Sequence, residues 1–62
     1  MQNAKLLQVE LRLVETKISS LDAAIAELPK RTPQYQRFNL ERTREYLQNQ
    51  ARFLRDLLEE AA

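Results

Sequence analysis

Glycine, cysteine, histidine and tryptophan are all absent from this chain, and proline occurs only twice. Without cysteine there are no disulfides, no thiolate nucleophile and no thiolate metal site, and the redox compartment cannot be read. Without histidine the commonest general base and the commonest transition-metal ligand are gone. Without glycine no phosphate-cradling loop that needs positive φ can be built. These absences leave an enzyme reading nothing to rest on, and no cofactor or metal is expected. No apolar run approaches the roughly 18–20 residues that span a bilayer. The opening MQNAKLLQVELRL carries charge through its apolar positions and does not read as a signal peptide. The expectation is a cytoplasmic chain with no membrane insertion.

What remains is 62 residues, room for one small domain over 1–62. Apolar residues make up 44%, too many for a disordered tail. Ten basic residues against nine acidic ones leave +1, too near neutral to argue for nucleic acid or an anionic surface. The charges are nonetheless unevenly spread. Lys5, Arg12 and Lys17 against Glu10, Glu15, Asp22 and Glu27 put residues 1–27 at −1. Residues 28–55 stand at +5, and Asp56, Glu59 and Glu60 put the last seven at −3.

β-Branched residues are few, whereas the helical signal is strong. Ala4, Leu7, Leu11, Val14, Ile18, Leu21, Ile25 and Leu28 alternate spacings of three and four without a break. Such a run is a coiled-coil seam. At LPKRTP the pattern stops: Pro29 disfavours helical geometry at Leu28. Thr32 before Pro33 then reads as a fresh N-cap and first helical position. A short connection favours antiparallel neighbours. The expected fold is all-α, an antiparallel two-helix coiled-coil hairpin over about 3–28 and 33–60. It is expected to complete a four-helix bundle by oligomerisation or with a partner.

The second helix has two apolar rows: Tyr35, Tyr46, Phe53 and Leu57, with Phe38 at the edge, and Leu40, Leu47, Ala51, Leu54 and Leu58. Between them run Gln36, Thr43 and Gln50 at seven-residue spacing, read either as a solvated rim or as a buried polar ladder that fixes register. Arg37, Glu41, Arg44, Glu45, Arg52, Arg55, Asp56 and Glu59 are expected on the outward face. There Arg37/Glu41, Arg52/Asp56 and Arg55/Glu59 suit i,i+4 pairing. The first helix also has a second row, Leu6, Val9 and Leu13, away from its seam. In an antiparallel hairpin that row shares the open end with Phe53 and Leu57. These five residues, Leu6, Val9, Leu13, Phe53 and Leu57, are the candidate partner-binding surface.

Two family resemblances bear on this reading. Through ISSLDAAIAELPKR, Tyr35, Arg37, Phe38 and the LLEEA of Leu57–Ala61, the stretch from Ile18 to Ala61 resembles the periplasmic coiled-coil hairpin of polysaccharide co-polymerases. Those are chain-length regulators of the tyrosine-autokinase type, and the resemblance implies a structural segment excised from a longer protein. Through Gln34, Tyr35, Gln36, Phe38, Asn39 and Glu41, the chain also resembles the small co-chaperones of type III secretion needle proteins. That resemblance implies a hairpin that pairs with a second chaperone to shield an aggregation-prone helical subunit. A designed hairpin would carry the same patterning.

The leading expectation is therefore a non-catalytic interaction or structural module, chaperone- or adaptor-like, that self-associates or binds a helical partner. The alternative is a small RNA-binding helical-bundle dimer using Arg37, Arg44 and Arg55, whose field Glu41, Glu45 and Glu59 partly cancel. A titration with structured RNA at two salt concentrations separates them, since phosphate contacts give steeply salt-dependent affinity. No binding at low salt is the outcome the leading expectation requires.

Overall fold

The structure is a computed structural model and describes residues 3–61. Helix α1 runs Ala4–Ala26 and helix α2 runs Gln34–Ala61. They fold back on one another as an antiparallel hairpin about 48 Å long and 14 by 12 Å across. No described helix is long and apolar enough to cross a membrane.

Asn3 starts α1. Its backbone is extended, and its Oδ1 accepts the backbone N–H groups of Lys5 and Leu6 at 3.0 and 3.3 Å. Two orphan donors of the first turn are thereby satisfied. At the other end the Glu27 N–H still reaches the Ala23 carbonyl at 3.0 Å, whereas the Leu28 N–H bonds Ile25 at 3.2 Å, one residue tighter. Helix α1 thus stops at Ala26, two residues before the expected end. Leu28 keeps its place in the apolar series but is half-buried in the connection.

A β-turn follows, closed by the Thr32 N–H on the Pro29 carbonyl at 3.0 Å. No described residue takes positive φ, so the reversal needs no glycine. The capping differs from expectation. The Pro33 carbonyl accepts the N–H groups of Gln36 and Arg37 at 3.0 and 3.3 Å, which makes Pro33 the residue before the helix. The Thr32 hydroxyl makes no capping hydrogen bond. Proline at the cap position donates nothing by default, so the helix loses no N–H bond there.

The heptad series of α1 forms its inner face: Leu7, Leu11, Ile18, Leu21 and Ile25 are half-buried, Val14 is buried, and only Ala4 lies exposed. On α2 the inner face is Leu40, Leu47, Ala51, Leu54 and Leu58. Val14, Ala51 and Leu54 are the buried apolar residues among those described, with Leu7, Leu11, Ile18 and Leu47 packed around them. Ala51 is the most enclosed, at 1% exposure. The core therefore sits near the middle of the hairpin, slightly to the open-end side of its mid-length.

The seam is the hairpin's own stabilising element. Replacing Val14 and Leu21 together by Ser should abolish the helical circular dichroism signal. Truncating seam aliphatics costs about 1–5 kcal/mol each, and the exposed ion pairs beside those two levels, Glu15 with Arg55 and Asp22 with Arg44, add little.

Candidate interaction surface

The two apolar rows of α2 have different fates. The Leu40–Leu58 row packs on α1, while Tyr35, Phe38, Tyr46 and Phe53 are each more than half exposed, and Leu57 is half-buried. On α1, Leu6, Val9 and Leu13 are likewise more than half exposed. All five candidate surface residues thus lie outside the buried core. Leu6, Val9, Leu13 and Phe53 are open to solvent, and Leu57 sits at the border of the seam.

The arginines depart from expectation. Arg37 and Arg44 are half-buried, because they continue the α2 seam toward the connection. Their spacing, Arg37, Leu40, Arg44, Leu47, Ala51, Leu54, Leu58, keeps the alternation of three and four. Long aliphatic stems cover apolar surface there while the guanidinium groups reach the edge. The ion pairs also differ. Among the described residues the charged contacts run between helices, Arg44 Nη1 to Asp22 Oδ1 at 3.1 Å and Arg55 Nη2 to Glu15 Oε2 at 2.8 Å. The expected i,i+4 pairs of α2, Arg37/Glu41, Arg52/Asp56 and Arg55/Glu59, do not close. Arg44 and Arg55, two of the three residues on which an RNA-binding face would depend, are engaged with carboxylates.

These ion pairs fix the geometry of the flanks. In an antiparallel helix pair, residues displaced from the seam in the same angular sense lie on the same flank. Glu15, Asp22, Arg44 and Arg55 are displaced in one sense and form a charge-paired flank. Leu6 and Leu13 on α1, and Tyr46 and Phe53 on α2, are displaced roughly 130° the other way, with Leu57 at the seam border on that side. One flank is zipped by charge, and the other is bordered by two uncovered apolar rows.

Gln36, Thr43 and Gln50 lie between the α2 rows and are exposed in the hairpin. The Thr43 hydroxyl donates to the Asn39 carbonyl of its own helix at 3.0 Å, and Gln36 Nε2 donates to the Tyr35 hydroxyl at 3.5 Å. They form a rim within the single chain. A shallow, open depression lies beside them, lined by Asn39, Arg42, Thr43 and Tyr46 of α2 alone. It is a notch between side chains on neighbouring turns and encloses no space for a ligand. Among the described residues no group of three acidic side chains is placed to hold a metal ion.

The fold and its surface define a class: an all-α helical hairpin whose second apolar faces have no partner within the chain. Compared with known proteins, the chain matches no family model, and no curated protein or solved structure is significantly similar to it.

Patterning alone did not reveal two contributors to this arrangement: Glu15 and Asp22 read as ordinary solvated acids. The signal was present in their displacement from the α1 seam, each one residue past a seam position, in the same sense as Arg55 on α2.

Exposed ion pairs contribute little, so the ranking of variants is testable. Arg44→Gln and Arg55→Gln should each lower stability by about 0.2–1 kcal/mol, a difference that fades in high salt. Leu54→Ala should cost about 2–5 kcal/mol at any salt concentration. Thermal melts that reverse this order would show that charge, and not the seam, holds the arms together.

Proposed function

We propose that this chain is a non-catalytic protein-protein interaction module, a helical hairpin that completes its core against another helical surface. The observation that carries the reading is the imbalance of its apolar residues. Three are buried among those described, while Leu6, Val9, Leu13, Tyr35, Phe38, Tyr46 and Phe53 stand more than half exposed. Isolated apolar side chains on a surface are ordinary. Two rows at helical spacing on the same molecule mark an interaction site. Aromatic residues with flanking Leu are also the composition favoured at interface cores. A hairpin this small has a thin margin over conformational entropy on its own, and association supplies what the single seam lacks.

The α1 row and the seam should separate by mutation. Replacing Leu6, Val9 and Leu13 together by Ser should preserve the helical circular dichroism signal and reduce binding of an apolar dye. These side chains contribute little to the intrachain contact. Wild-type chain without its partner surface should melt broadly and bind the dye, or melt at a temperature that rises with concentration. A sharp, concentration-independent melt without dye binding would overturn the reading, since such a hairpin needs no second surface. Unfolding of the triple variant would show that the α1 row is ordinary core.

A further inference from the structure

A net charge near zero hides a separation of charge that the hairpin makes axial. Residues 28–40 contain Lys30, Arg31 and Arg37 and no acid, while Asp56, Glu59 and Glu60 cluster at the far end of α2. The first turn of α2 holds no carboxylate to offset the positive pole of its helix dipole. Lys30 and Arg31 are exposed in the connection, and Arg37 is half-buried at the edge of the seam. Among the described residues none of the three is ion-paired, the charged contacts being those of Arg44 and Arg55. Tyr35 and Phe38 stand beside them at the start of α2, 66% and 57% exposed. Long helical side chains lean toward the N-terminus, which brings both rings back over the connection.

From this juxtaposition we infer that the connection end of the hairpin docks on the surface of an anionic lipid bilayer. Lys30, Arg31 and Arg37 meet the acidic headgroups, and Tyr35 and Phe38 lie at headgroup depth, where aromatic rings settle. No described helix is long and apolar enough to cross the membrane, so the contact is peripheral.

The extent of the charged end selects this partner among anionic ones. Its positive field is short: Glu41 and Glu45 follow it on α2, and Asp22 and Glu27 precede it on α1. A nucleic-acid strand is tracked by a basic groove, and here no row of unopposed cations continues along either helix. A rod about 14 by 12 Å across meets a plane end-on and needs no groove. End-on contact also keeps the acidic end away. The hairpin is about 48 Å long, several Debye lengths at physiological salt, so Asp56, Glu59 and Glu60 escape repulsion. Leu6, Val9 and Leu13 near the open end stay clear of the bilayer and free for a protein partner.

The test is co-sedimentation of the full chain with vesicles of phosphatidylcholine alone, or of phosphatidylcholine with an equal part of phosphatidylserine. Binding should require phosphatidylserine and fall as salt rises. Lys30→Gln with Arg31→Gln should weaken it by roughly 25-fold, about fivefold for each cation lost. Tyr35→Ser with Phe38→Ser should weaken it with helicity kept, since both side chains are exposed. Replacing Leu6, Val9 and Leu13 by Ser should leave it unchanged. Because the chain has no cysteine, Gln34→Cys or Glu59→Cys carries a single environment-sensitive dye. A dye at position 34 should shift to the blue on vesicles, and one at position 59 should not. Absence of binding at low salt, equal binding to phosphatidylcholine alone, a shift at position 59, or loss with the α1 triple variant overturns the proposal. So does structured RNA that displaces the chain from the vesicles, which would assign the cations to a nucleic acid.

Discussion

The buried contact where Val14 of α1 meets Ala51 and Leu54 of α2 is the one on which the rest of this structure depends. Ala51 has almost no side chain to hold the arms apart, so the neighbouring Val and Leu can be enclosed by a pair of helices alone. Moving away from that level toward the connection, Arg44 and Arg37 take the places that apolar residues hold near the open end. The seam changes from packed hydrocarbon to arginine stems lying along it. The two arms are thus clamped near mid-length and joined by the covalent turn at one end.

That distribution gives the hairpin two unlike flanks. Glu15 with Arg55 and Asp22 with Arg44 line one side, where solvent screens the pairs and limits what they add. The observed pairing satisfies two carboxylates at once. The opposite side carries the uncovered apolar rows. A helix pair has only one mutual seam, and α2 has apolar residues for two.

The same limitation connects packing to the proposed activity. A surface that must be free to meet another helix cannot also be consumed in the chain's own core. Tyr35, Phe38, Tyr46 and Phe53 are large, rigid side chains whose exposure brings no benefit to an isolated hairpin. Their cost is recovered only when something covers them, which places the energetics of folding and of association in one balance.

The sequence by itself determined the two helices, the position of the reversal and the inner face of α1. Periodicity is a local property, and Pro29 and Pro33 punctuate the backbone whatever surrounds them. Even so, the helix ends shifted by one or two residues, because Ile25 and Pro33 carbonyls took hydrogen bonds that spacing does not foresee. Of the candidate surface, Leu6, Val9 and Leu13 were legible as apolar residues off the α1 seam. Which α2 row would be the seam was not legible. Helical periodicity says which residues share a face but not which face a neighbour takes, and α2 offered two. Tertiary structure decided for the row containing Ala51. Only that row lets the helices close on Val14 while turning Arg44 and Arg55 toward Asp22 and Glu15, and both conditions belong to the pair of helices and not to either one alone.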